Sequence, residues 1–127
     1  MKLRIKGSSL RLRLTQGEVH SLETAGEVDE QVNFGGGARL TYRLCTDTQS
    51  QEISASYSGN VIDIRVPQEA VLTWSRTDQV TLSHSEPVAD GELRVVIEKD
   101  WNCLAPRSDE DESDNFPHPE TGTGKVC

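Results

Sequence analysis

"GSSLRLRLTQGEVHSLETAGEV", residues 7–28, and "GNVIDIRVPQEAVLTWSRTDQV", residues 59–80, are two copies of one pattern. The offset is 52 (59 − 7), and no gap is needed. Gly7 falls on Gly59, and Leu10, Leu12 and Leu14 fall on Ile62, Ile64 and Val66. Arg13 falls on Arg65, Gln16 on Gln68, Val19 on Val71, Leu22 on Trp74 and Val28 on Val80. Identities are few, yet the apolar positions coincide throughout. Two copies are too few for a solenoid or propeller. The duplication therefore predicts one supersecondary unit used twice, with pseudo-twofold symmetry.

Each copy has a readable content. "SLRLRL" alternates apolar and polar residues, the signature of a half-buried strand. Thr15 to Glu18 is a T-x-x-E capping box, which opens a short helix with Val19 and Leu22 on one face. Gly26 stands where a helix ends in the left-handed region. In the second copy Pro67 suits the first helical position, and Val71 and Trp74 form the buried stripe. "EVDEQVNF", "ARLTYRLC" and "EISASY" read as strands, as do "DQVTLSH" and "GELRVVIE". Gly35 to Gly37 form a turn, and "KLRIK" adds a strand at the start. The expected fold is α+β: a duplicated β-α-β-β-β unit, about eight strands and two short helices. The short connections favour a mostly antiparallel sheet, curled or barrel-like.

At 127 residues the chain makes one domain with a modest core. That domain is expected over residues 1–104, with a tail over 105–127. Hydrophobic residues are 34%, as suits a sheet covered on one side. No apolar run approaches the roughly 20 residues that span a bilayer. "MKLRIKG" has no signal-peptide h-region, which predicts a cytoplasmic protein. Cys45, Cys103 and Cys127 are odd in number and widely spaced, unlike a secreted disulfide framework. The net charge of −8 argues against nucleic acid or an anionic membrane as partner.

The distribution of charge is less simple. With the leucines and valines assigned to the core side, the opposite side of the strands carries Lys2, Arg4, Lys6, Arg11, Arg13, Arg39, Arg43, Arg65 and Arg94. That is nine of the thirteen basic residues. Only Asp29, Glu52, Asp63 and Glu98 are acidic there. A one-sided sheet needs a polar second face, and Lys and Arg are ordinary choices for it. The excess of Arg points further, to an anion, because guanidinium forks match phosphate and carboxylate oxygens.

The tail reads differently. Trp101 and Leu104 are expected to pack at a sheet edge or helix end. "SDEDESD", residues 108–114, is a run of like charge, of the kind that is usually solvated. "FPHP" follows, stiff and extended, with Phe116 as an anchor that can dock on the domain. The acidic run either crosses the basic face or stands free in solvent. Cys103, His118 and Cys127 suit zinc chemically but lack paired ligand spacing, and a Cys103–Cys127 disulfide does not suit a reducing compartment. "DEDESD" lacks the EF-hand glycine and flanking helices that calcium would need. His20, His84 and His118 are scattered, and no nucleophile or phosphate-loop motif is present.

The two ends, Met1 to Val19 and "EKDWNCL…EDESDNFPHP…C" from Glu98 to Cys127, resemble an uncharacterised bacterial family of small proteins. That resemblance implies a domain of unknown function. The duplicated unit is also loosely similar in architecture to the triphosphate tunnel (CYTH-like) phosphohydrolases. This second resemblance implies barrel Arg and Lys on a triphosphate and Glu on Mg²⁺ or Mn²⁺. In this chain Arg4, Lys6, Arg11, Arg13, Arg43, Arg65 and Arg94 would take the phosphates. Glu98, with Asp63 or Asp29, would take the metal. The first strand, however, reads K-L-R-I-K where that family carries E-x-E-x-K.

Two functions follow. The first is a binding or regulatory module without a cofactor, whose basic face takes an anionic small molecule or an acidic protein segment, its own tail included. Its anion-binding residues are Arg4, Lys6, Arg11, Arg13, Arg39, Arg43, Arg65 and Arg94. The second is the metal-dependent phosphohydrolase, with Glu98 as metal ligand.

Overall fold

The computed structural model describes residues 1–101 and 113–117. It has eight strands and two helices in the order β1 (Lys2–Lys6), β2 (Ser9–Leu14), α1 (Gln16–Ala25), β3 (Glu27–Gly35), β4 (Ala38–Asp47), β5 (Ser54–Ser58), β6 (Val61–Pro67), α2 (Gln68–Arg76), β7 (Thr81–Val88) and β8 (Gly91–Lys99). The α+β class holds, and four of the six strand pairs are antiparallel. The strands do not close into a barrel. They form two four-stranded sheets, A in the order β1-β2-β8-β7 and B in the order β3-β4-β6-β5.

The repeat extends further than the aligned segments. Adding 52 to the bounds of β1 gives those of β5 (2 + 52 = 54, 6 + 52 = 58). The repeated unit is therefore β-β-α-β-β, not β-α-β-β-β. Each sheet joins the first hairpin of one copy to the second hairpin of the other. The joining pairs, β2 with β8 and β4 with β6, are parallel. Each helix carries the chain from one sheet to the other. Register also moves Val28 off Val80. Val28 pairs with Leu44 as Leu82 pairs with Ile97, so Leu82 is its true counterpart.

Local chemistry fixes the elements. Thr15 Oγ1 accepts from the Glu18 amide, and Glu18 Oε1 accepts from the Thr15 amide at 3.0 Å, completing the capping box of α1. Gly26, at φ 82°, donates its N–H to the Leu22 carbonyl and ends the helix. Pro67 lies one position earlier than expected, as the residue before α2 rather than its first residue.

The core lies between the apolar faces of the sheets, under the helices. Leu12 and Leu14 of β2, Ile64 and Val66 of β6, Leu44 of β4 and Val95 and Ile97 of β8 meet Val19, Leu22, Val71 and Trp74 from the helices. The helices cover the end where β2, β4, β6 and β8 finish. Glu23 of α1 accepts from Ser75 Oγ at 3.0 Å and Arg76 Nε at 2.7 Å of α2, which ties the pair together. The opposite end is open. A cavity of about 220 Å³ there is lined by Leu10, Ala55, Ser56, Tyr57, Ile62 and Leu93. The exposed apolar residues of that end are Ile5, Val32, Phe34, Tyr57 and Val88, of which Ile5 and Tyr57 are repeat counterparts.

Phe116 does dock on the domain. Its amide donates to the Asp100 carbonyl at 2.8 Å, and its ring meets Trp101 edge-on at 5.3 Å. Lys99 Nζ sits 5.4 Å from the ring centroid, and burial pushes the Lys99 pKa down. Asp114 adds a second cap to α1, accepting from Gln16 N through its carbonyl and from Gly17 N through Oδ2. Replacing Phe116 by Ala removes the ring contact but leaves both caps. The expected cost is about 1–2 kcal/mol, with a red shift of Trp101 fluorescence. An unchanged emission spectrum would show that the ring does not shield Trp101.

Candidate anion-binding face

Strand alternation sets which side chains share a face. On the outward face of sheet A, register places Lys2 beside Arg13 and Glu98, then Arg4 beside Arg11 and Val96, then Lys6 beside Ser9 and Arg94. On the outward face of sheet B, Arg43 lies between Asp29 and Asp63, and Cys45 between Glu27 and Arg65. Arg39 lies beside Asn33. The nine basic residues thus do not share one face. Lys2, Arg4, Lys6, Arg11, Arg13 and Arg94 stand together on sheet A, and Arg39, Arg43 and Arg65 stand on sheet B. An alternating pattern reports which side of its own strand a residue occupies. It does not report which sheet that strand joins.

The two faces also differ in balance. On sheet B, Arg43 Nε pairs with Glu27 at 2.9 Å and Arg65 Nε with Asp63 at 3.0 Å. On sheet A, Glu98 accepts from Arg11 at 2.8 Å and from Arg13 at 2.7 Å, while Lys2 pairs with buried Asp100 at 2.9 Å. Among the described residues, Arg4, Lys6 and Arg94 of sheet A and Arg39 of sheet B enter no ion pair. A polar hollow of about 220 Å³ is lined by Arg4, Lys6, Ser9 and Arg11. Ser9 was not singled out from the sequence. A serine next to a turn is commonplace, and only its register beside Lys6 and Arg94 gives it a place in the hollow.

The second copy of the repeat serves as an internal comparison. The outward residues of β1 are Lys2, Arg4 and Lys6, and their counterparts on β5 are Ser54, Ser56 and Ser58. Both strands lie at a sheet edge. Serine therefore suffices for this position in the fold. Of the three cations of β1, Lys2 pairs with buried Asp100, and Arg4 and Lys6 enter no described ion pair.

Residues 1–120 match a family described as "Family of unknown function (DUF7009)". The chain belongs to DUF7009. No curated protein and no solved structure matches it. The DUF7009 match covers both sheets, both helices and the docked Phe116 segment.

Among the described residues of this DUF7009 chain, the carboxylates named for a metal do not meet. Glu98 lies on sheet A and is held by two guanidinium groups, whereas Asp29 and Asp63 lie on sheet B. Among the described residues, no group of three His, Cys, Asp or Glu side chains is placed to hold a metal ion. Cys103, His118, Cys127 and the acidic run 108–112 lie outside the described residues. No described helix is long and apolar enough to cross a membrane.

Two further titrating groups have physical causes for their shifts. Burial, with Asp63 3.6 Å from Sγ, pushes the Cys45 thiol up to about 11. Its thiolate fraction at pH 8 is then on the order of 100-fold below that of an ordinary cysteine. Iodoacetamide should label Cys45 slowly at pH 8 and faster as pH rises toward 11. Labelling at the rate of glutathione would contradict that placement. Burial and then Glu30 push the Tyr42 hydroxyl up to about 12. Its O–H lies 2.9 Å from the Met1 carbonyl and 3.2 Å from Glu30 Oε2.

Proposed function

We propose that this chain is a binding module for anions and that the outward face of sheet A is its binding surface. Arg4, Lys6, Ser9 and Arg11 form the centre, with Arg94 beside them. The observation that carries this is the contrast between the copies: three cations on β1 against three serines on β5 at the same places in the fold. Arg4, Lys6 and Arg94 have no described carboxylate to satisfy them, so an incoming anion need not displace one. Guanidinium and ammonium groups around a hydroxyl suit the oxygens of a phosphate or carboxylate. Among the described residues no aromatic side chain lies on this face to stack on bases, which favours anions other than nucleic acid.

The phosphohydrolase reading has less to support it. It needs an enclosed tunnel, and the strands form two separate sheets. It also needs carboxylates gathered around a metal, and Glu98 is engaged by Arg11 and Arg13.

Calorimetric titration of inorganic phosphate tests it, and Glu98→Gln sharpens the test. Removing that carboxylate frees Arg11 and Arg13, so phosphate should bind roughly threefold to tenfold more tightly. Raising the salt should weaken binding in both proteins. No heat in either protein, at low salt, would remove the anion site.

A further inference from the structure

The edge of sheet A adds a second element to the basic face. Among the described strands β1 pairs with β2 alone, so from Leu3 to Lys6 its other side makes no described ladder. Along that edge Lys2, Arg4 and Lys6 point outward, and Leu3 and Ile5 point to the apolar side. Ile5 is 56% exposed, unusual for a residue on the core side of a strand.

The neighbouring edge belongs to β3, which pairs with β4 alone. β1 and β3 both run away from the helix-covered end, so they are parallel, but they are not paired with each other. They meet at one end only. The Met1 ammonium lies 3.7 Å from Glu30, and Tyr42 donates to the Met1 carbonyl. Counting by twos from that contact brings Leu3 level with Val32 and Ile5 level with Phe34. Val32 is 39% and Phe34 68% exposed, so the seam opens toward the far end with apolar side chains on both lips. On the outward side, Lys2 and Arg4 come level with Gln31 and Asn33, after which the register of β3 shifts. The outward acids of β3, Glu27 and Asp29, lie before that stretch, and Glu30 lies level with Met1.

We propose that the free edge of β1 from Leu3 to Lys6 takes an extended strand from an acidic partner protein, with carboxylates at alternate positions over Arg4 and Lys6 and apolar residues between them against Ile5. This rests on the anion-binding reading of sheet A and names its ligand. Strand addition supplies affinity through main-chain hydrogen bonds, and the alternating side chains supply specificity. Carboxylates two residues apart recur every ~6.6–6.8 Å along a strand, the spacing of Arg4 and Lys6 themselves. The chain also holds the counter-example. The related seam between β5 and β7 has the exposed apolar residues Tyr57 and Val88, but its β5 lip carries only serines outward. Lysines that merely protect an edge from pairing would be wanted on β5 as much as on β1.

The test uses the full chain and three synthetic peptides of equal charge. One alternates Glu and Val. A second has the same composition with its glutamates in a block. The third is the alternating peptide, N-methylated on the backbone side that would face β1. The alternating peptide should bind at least ~10-fold more tightly than the other two. It should also slow hydrogen exchange at the β1 amides that face away from β2. Equal binding by all three, with phosphate displacing them, would overturn strand addition and leave the anion site standing. Phosphate binding without peptide binding would do the same. Failure of phosphate and peptides together would remove both. Self-association of the free chain that shuts out the peptide, seen by sedimentation, would assign the edge to a second copy and also overturn the proposal.

Discussion

Replacing Trp74 by Ala should lower the stability of the fold by about 3–5 kcal/mol and its Tm by roughly 15–25 °C. Trp74 is 0% exposed and the largest of the fully buried side chains. Its indole Nε1 donates to the Val80 carbonyl at 2.9 Å, so the substitution leaves a cavity and also loses a buried hydrogen bond. Val80 precedes β7, and its carbonyl also accepts from the Lys99 amide at the end of β8. The loss should therefore spread from the helices into sheet A. Thermal unfolding followed by circular dichroism measures it. A Tm within a few degrees of the parent protein would mean that α2 does not close the core. Phe at this position should recover most of the loss, because it restores volume without the hydrogen bond.

The second large effect concerns binding. Arg4→Ser together with Lys6→Ser gives β1 the outward residues that β5 already has. Phosphate affinity should fall by roughly tenfold or more, and its salt dependence should flatten. The figure is kept modest because both side chains are exposed and screened by water. Stability should change by no more than about 0.5 kcal/mol, because neither residue makes a described ion pair and the second copy carries serines at the same edge. The matching substitution on the other sheet, Arg43→Ser, should leave phosphate binding unchanged. Loss of binding from the sheet B variant but not from the β1 variant would put the anion on the wrong face for everything proposed above.

Much of this architecture was legible in the sequence, for identifiable reasons. The alternation of "SLRLRL", the T-x-x-E box at Thr15 and the Gly26 stop are local signals, and each element formed where its signal lay. The duplication was visible because the same buried positions recur, Leu22 against Trp74 among them. Sheet membership was not visible. Pairing β2 with β8 joins Ser9 to Arg94, residues 85 positions apart (94 − 9), and no local pattern carries that information. That is why Arg39, Arg43 and Arg65 were grouped with Arg4 although they lie on the other sheet. The shift from Val80 to Leu82 as the partner of Val28 has a similar cause. The chain between α2 and β7 is longer than that between α1 and β3, and two valines matched by chance across the difference. Phe116 was readable as an anchor because an aromatic beside prolines is poorly suited to solvent. The cap that Asp114 gives α1 was not, since it joins residues 97 positions apart.

The most direct measurement is a titration of inorganic phosphate followed by amide chemical shifts across both sheets. Binding to sheet A predicts saturable shifts at Arg4, Lys6, Ser9, Arg11 and Arg94. It predicts none beyond the common effect of ionic strength at Arg39, Arg43 and Arg65. Shifts spread equally over both sheets, or shifts that track ionic strength without saturating, would contradict a specific anion site on this face.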